Sequence, residues 1–325
     1  MSERVRVAVA QIAPVWLDRA ATTDKIAGYV EKAADETADL VCFGEALLPG
    51  YPFWVERTDG ARFDSALQKR LYAYYATQAV IIERGDLEPI QQRCRNRKIA
   101  CYLGVIERAP DRGAHSLYCT LVYIGKDGAI ASTHRKLMPT YEERLVWATG
   151  DGHGLRVHEL GDFTVGGLNC WENWLPLARS ALYAQGEDLH VAVWPGNLRN
   201  TRELTRFIAL ESRSFVVSAS GLLRREDIPA NLPQGDVLRE TADAVMADGG
   251  SAVAAPDGAW LIEPVTGEER LAVIELDHRR VLEERQNLDV VGHYSRPDVL
   301  RLVLNRDRQG TLSIDDTAAD ELPKG

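Results

Sequence analysis

Two kinds of strand connection occur in this 325-residue chain, and any fold must accommodate both. The valine-rich start "RVRVAVAQI" reads as a strand. "ATTDKIAGYVEKAADETA" reads as a helix, with Ile26, Tyr29, Val30 and Ala33 at helical spacing, and "DLVCFGE" as a short apolar strand. Residues 65–97 are mostly helical, with a break near "RGDLEP". "IACYLGVIER", "SLYCTLVYIG" and "AIASTHRKL" then read as strands, the last two joined by "KDG", a hairpin turn signal. Single helices between strands thus alternate with direct hairpins. That pattern excludes a purely parallel sheet and favours an α/β fold of mixed sheets covered by helices.

The second half repeats the pattern. "FTVGGLNC" is a strand, followed by a helix over "WLPLARSALYAQG" with Trp174, Ala178, Ala181 and Leu182 on one face. Asn173 is the expected N-cap, Pro176 falls in the first turn, and Gly186 is the expected stop. "LHVAVWPG" is a strand and "RELTRFIALESRSF" a helix. "VVSASG", "GSAVAAPDGAWLIEPV" and "ERLAVIELD" are strands, and "HRRVLEERQNL" is the closing helix. No interdomain linker or internal repeat is visible. The expected organisation is one domain over residues 1–304 and an acidic, mobile tail over residues 305–325.

Composition narrows the function. A net charge of −10 argues against a nucleic-acid or anionic-membrane surface. The start of the chain is too polar for a signal peptide, and no window approaches the roughly 20 apolar residues that span a bilayer. Five cysteines at irregular spacing, without C-x-x-C, suit reduced thiols in the cytoplasm. The seven histidines are scattered, with no H-E-x-x-H, so no metal site is expected. There is no G-x-S-x-G, and "GDGHG" precedes a strand rather than following one, which suits a turn better than a phosphate loop. "ESRSF" and "HYSRPD" could each place an arginine in a buried ion pair.

Three strands end in reactive groups. Glu45 closes "LVCFGE", Lys136 closes "AIASTHRK", and Cys170 closes "FTVGGLNC". In α/β sheets, sites gather beyond the carboxyl ends of strands, so the three would converge if their strands are neighbours in one sheet. A helix N-terminus and a cation favour thiolate, and a carboxylate could take the thiol proton. On residue type alone, each also has an ordinary reading: a buried small hydrophobe for Cys170, a solvated carboxylate for Glu45, a surface cluster for Lys136.

At these residues the chain resembles a known family. "FGEALLPGYPFW", "HRKLMPTYEERLVWATGDG", "NCWENWLPLARSALYAQGE" and "GHYSRPDV" closely resemble the motifs of nitrilases, within the carbon–nitrogen hydrolase superfamily. The match runs in the family's order from about Val5 to Leu300. The resemblance implies a four-layer α-β-β-α sandwich with two mixed β-sheets, and a homo-oligomer built from dimers, extending to spirals or filaments. It implies a catalytic Glu45–Lys136–Cys170 set, with Glu143 supporting the lysine. It implies a small-molecule nitrile as substrate and no cofactor. Tyr51, Trp171 and Trp194, beside these motifs, are candidate substrate-binding residues, while Trp147 and Trp174 are assigned to packing. The backbone N–H after Cys170 is a candidate oxyanion donor.

An amidase or carbamoylase of the same superfamily would use the same residues. The segment "CWENWLPLAR" resembles the nitrilase branch instead. A non-catalytic assembly scaffold would have no need of a thiol flanked by carboxylates.

Overall fold

Alternation along the first strand sets the layering. In the computed structural model, which describes residues 3–312, Val5, Val7 and Val9 face one way and Ala8 and Ala10 the other. The period of two gives this strand two buried faces. The strands are β1 (Arg4–Gln11), β2 (Leu40–Phe43), β3 (Ala100–Arg108), β4 (Leu117–Ile124), β5 (Ile130–Arg135), β6 (His158–Leu160), β7 (Phe163–Asn169), β8 (Leu189–Trp194), β9 (Phe215–Ser220), β10 (Leu222–Arg224), β11 (Val245–Ala254), β12 (Trp260–Thr266) and β13 (Arg270–Asp277). One sheet has the order β13-β1-β2-β3-β4-β5. The other has the order β10-β11-β9-β8-β7-β6, with β12 also paired to β11.

Both sheets are mixed. β1, β2 and β3 run parallel, and β3, β4 and β5 form antiparallel hairpins. β7, β8 and β9 run parallel, with antiparallel β6 and β11 flanking them. Between the sheets lies an apolar layer that includes Val7, Cys42 and Tyr102 from one side and Val191, Phe215 and Val217 from the other. The outer face of the first sheet packs on the helices Arg19–Asp35 and Glu88–Arg97 through Ile26, Val30, Ile90 and Cys94. The outer face of the second packs on Pro176–Tyr183 and Leu198–Ser212 through Leu182, Leu204 and Ile208. The architecture is therefore the expected four-layer α-β-β-α sandwich. Each fully buried aliphatic side chain contributes about 1.5–3 kcal/mol to it.

The structure adds elements that the sequence pattern leaves silent. β6 and β10 have three residues each, too few to display a period, and the helices Trp54–Arg57 and Gly235–Thr241 are short. "GDGHG" forms a 3-10 turn at Gly152–Gly154, capped by Asp151. The two arginines differ from expectation: Arg213 meets Glu284 only partly buried, and the Arg296–Asp298 pair is exposed on both sides. The start of the tail is not free. Arg308 pairs with Asp151 at 3.0 Å, the Gln309 N–H donates to the same carboxylate, and Leu304 packs beside Leu137 and Val157. The rest of the expected mobile tail, residues 313–325, lies outside the described residues.

The two sheets touch at one corner. The Glu45 N–H donates across the sandwich to the Trp194 carbonyl at 3.0 Å. A Cβ on Gly44 would stand 2.7 Å from the Gly221 nitrogen and 2.9 Å from the Trp194 oxygen, both of them backbone. Glycine lets the end of β2 come this close. Gly44→Ala should therefore destabilise the fold by about 1–3 kcal/mol, through overpacking that backbone must absorb. A lowered thermal midpoint measures it, and an unchanged midpoint contradicts the tight corner.

Candidate active site

Glu45, Lys136 and Cys170 do come together, but not through neighbouring strands of one sheet. Glu45 follows β2 and Lys136 follows β5, both in the first sheet, while Cys170 follows β7 in the second. β5 runs in the same direction as β2, because two antiparallel steps separate β3 from β5. Their carboxyl ends therefore share an edge, and the end of β7 meets them across the sandwich.

Lys136 is 1% exposed. Its Nζ donates to Glu45 Oε1 at 2.9 Å and to Glu143 Oε2 at 2.7 Å. Glu143 is buried rather than paired on a helix surface. It sits in the 3-10 turn Tyr141–Leu145, where the Thr140 N–H donates to its Oε2 at 2.6 Å. The Tyr51 hydroxyl donates to its Oε1 at 2.8 Å. Both Glu143 oxygens are thus satisfied as an anion. Glu45 differs: its Oε2 is buried and has no partner among the described residues.

Cys170 opens a 3-10 turn, Cys170–Trp174, with φ of +46°. A non-glycine residue in this region is strained by about 1–3 kcal/mol and persists only where its surroundings hold it. Asn173 does part of the holding. Its Nδ2 donates to the Cys170 carbonyl at 2.9 Å and to the Leu168 carbonyl at 3.2 Å. Its Oδ1 lies 2.7 Å from His190 Nε2. Asn173 is therefore not the N-cap of the following helix; Leu175 takes that place without a side-chain bond. Asn169 and Glu172 cap the turn instead, each side chain bonding the other's backbone.

Electrostatics ties the groups into one unit. Burial, opposed by Lys136 and reinforced by Glu143, pushes the Glu45 carboxyl up to about 7. Burial and then the two carboxylates push the Cys170 thiol well above its ordinary value, against Lys136 and the Trp171 backbone N–H. Burial alone would lower Lys136, but Glu45, Cys170 and Glu143 outweigh it and hold the ammonium charged. The thiol is thus protonated at rest, unlike the thiolate that a helix N-terminus suggests. Its proton can leave only as a base within reach accepts it, and Glu45 has a free oxygen. Oxygens of Glu45 and Glu143 and the Cys170 sulfur lie within 4.8 Å of one another, a spacing that a metal ion could bridge. Lys136 Nζ already bonds both carboxylates as their counter-charge.

The candidate substrate-binding residues separate. Tyr51 lines a narrow cleft beside Glu45, with room for about one water molecule (about 10 Å³), together with Trp16, Leu47, Phe53, Leu222 and Leu223. Trp194 is fully buried near Cys170, its Nε1 donating to Ser218 Oγ at 3.3 Å, and it meets the site through its backbone carbonyl. Trp171 is 52% exposed and lies in a second, surface cleft with Met138, Tyr141 and Trp174. The turn at Cys170 sends consecutive side chains apart, so the sulfur is buried while the next ring is not. Trp174, expected to pack, is also half exposed.

Other residues at the site escape sequence reasoning. Trp147 is buried in the core, as its assignment to packing expects, and also lies edge-on to Tyr51 with its ring 5.6 Å from Lys136 Nζ. The Cys119 thiol is 3.4 Å from Glu45 Oε1. Pairing counted back from the "KDG" turn would set Cys119 opposite Arg135; an irregularity between Tyr123 and Ile124 shifts the register, and the Lys136 N–H donates to the Cys119 carbonyl instead. His134 and Glu172 carry no sequence signal of their place.

Comparison with known proteins gives the family. Residues 6–286 match the carbon–nitrogen hydrolase family model. The chain is 35% identical over 318 residues to a protein named Nitrilase 2 from an unknown prokaryotic organism, covering 98% of each. It is 36% identical over 310 residues to an aliphatic nitrilase of Sinorhizobium fredii (strain HH103), covering 94% of this chain and 96% of that one. A solved carbon–nitrogen hydrolase from Helicobacter pylori G27 superposes with a TM-score of 0.68 at 18% identity, covering 91% of this chain and 96% of that one; it speaks to the fold alone. A buried carboxylate–lysine–thiol unit, carried on a four-layer sandwich and matched along nearly the whole chain, places this protein in the carbon–nitrogen hydrolase family, in its nitrilase branch.

Proposed function

We propose that this protein hydrolyses an organic nitrile to the carboxylic acid and ammonia, with Cys170 as nucleophile. The observation that carries the reading is the free Glu45 Oε2 in a buried unit with Lys136, Glu143 and Cys170. Glu45 takes the thiol proton as sulfur attacks the nitrile carbon and passes it to the nitrogen, which gives a thioimidate and leaves Glu45 ionised again. Water, deprotonated by Glu45, adds to it. Lys136 and the Trp171 backbone N–H stabilise the negative charge that develops. Ammonia leaves, a second water cleaves the thioester, and the thiol returns. Glu143 holds Lys136 in place and is itself held by Tyr51.

The cleft beside Glu45 is walled by aromatic and aliphatic side chains and has no cationic lining group. Apolar walls beside the Glu45 carboxylate favour an uncharged nitrile over an anionic one. A homo-oligomer belongs to the reading as well, supported by the exposed apolar side chains of Trp171, Trp174, Leu175 and Leu177. Five free, buried cysteines support a reducing cytoplasm. No helix among the described residues is long and apolar enough to cross a membrane.

Cys170→Ala should lower nitrile turnover by about 10⁴-fold or more, as loss of a nucleophile does. A panel of neutral nitriles beside their amides, scored for acid and ammonia, measures it. Ammonia from the amides alone indicates an amidase, and turnover surviving in the variant rejects the nucleophile.

Glu45 serves as base only when ionised, and its carboxyl is raised to about 7. Therefore kcat/KM should fall as pH drops through that value, with protein still folded, rather than near the ordinary carboxylate value of about 4.3. An acidic limb near 4 contradicts the raised carboxyl.

A further inference from the structure

Glu172 follows Cys170 by two residues, yet its carboxylate reaches into both halves of the sandwich. Oε1 accepts from the Leu137 N–H at 2.7 Å, and Oε2 accepts from the Asn169 N–H at 2.9 Å. Leu137 follows the lysine, and Asn169 precedes the cysteine. Leu137 lies just past the end of β5 and Asn169 ends β7; the two strands belong to different sheets, and no ladder joins them among the described residues. His134 Nε2 lies 3.1 Å from both oxygens of the same carboxylate. It sits two residues before Lys136 on β5. Both side chains are almost fully buried.

We propose that Glu172 and His134 form a positioning clasp that fixes the distance between the Lys136 ammonium and the Cys170 sulfur. The carboxylate holds one backbone donor beside each reacting residue, so a shift of either strand end breaks a charge-assisted hydrogen bond. His134 adds a third contact from the lysine's own strand. Glu172 is not placed to meet substrate: its oxygens are occupied by Leu137, Asn169 and His134. Burial would raise its pKa, but His134 and the two backbone donors outweigh burial and hold it ionised. The geometry thus assigns a role to the acid in "CWEN" that differs from that of Glu45 and Glu143. A displacement on the order of 1 Å between reacting groups can cost a hundredfold in rate.

The inference rests on the nitrilase reading only for its turnover assay. The full-length protein is compared with Glu172→Gln, His134→Asn and the double variant, each checked by thermal unfolding. Glu172→Gln keeps the side chain's shape and one acceptor oxygen, so one of the two backbone donors loses its partner. Its kcat should fall about ten- to a hundredfold, the worth of one charge-assisted hydrogen bond, while KM changes less than about threefold. His134→Asn should lower kcat less. The double variant should be no slower than Glu172→Gln, because the histidine acts through the carboxylate. Iodoacetamide alkylation of Cys170, read on its peptide by mass spectrometry, should slow in parallel. Unchanged kcat in folded Glu172→Gln, a rise in KM alone, or additive losses would overturn the clasp. If Glu172→Gln does not fold, His134→Asn decides by itself: slower turnover and alkylation support the clasp, and wild-type values refute it. A wild type inert on nitriles, with alkylation still slowed in the variants, keeps the clasp and refutes the nitrilase reading.

Discussion

A single buried ammonium organises this protein's active corner. Glu45 and Glu143 approach each other only because Lys136 Nζ stands between them, bonded to both. Without that charge, two carboxylates out of water would repel each other and neutralise. With it, the three groups carry one net negative charge, and a protonated thiol can sit beside them without adding a second. Moving the thiol proton to Glu45 leaves the total over these three groups and Cys170 unchanged. The proposed first step therefore creates no net charge in the buried site.

The division of labour between the two carboxylates follows from their hydrogen bonds. Glu143 is saturated by hydrogen bonds from Lys136, Thr140 and Tyr51. Glu45 keeps one oxygen free and is raised toward neutrality by burial. Like side chains thus acquire unlike surroundings: one is saturated beside the lysine, and the other keeps an acceptor for the proton exchange proposed above.

The sandwich supplies the precision that this chemistry needs. Reacting groups arrive from both sheets, so their spacing depends on contacts that cross the sandwich rather than on any one ladder. Gly44 allows the backbones to meet, the Glu45 N–H bonds the Trp194 carbonyl, and Glu172 joins the ends of β5 and β7. The strained turn at Cys170, secured by Asn173, lifts the sulfur into this junction. Loss of one such contact leaves the layers intact and still disturbs the distances between reacting atoms.

Much of this was legible in the chain. Period-two alternation marked the longer strands, because burial on alternate faces leaves a pattern in residue type. The turn at "KDG" determined the β4–β5 hairpin, and long motifs resembling nitrilases identified Glu45, Lys136, Glu143 and Cys170. Three-residue strands stayed hidden, since a period cannot show in three positions. What only the tertiary structure decided is how those residues meet: across two sheets, with Asn173 holding the cysteine turn rather than capping a helix, and with Trp171 half exposed. Residue type records whether a position is buried. It does not record which distant backbone a buried side chain bonds, because that depends on how separate sheets are packed together.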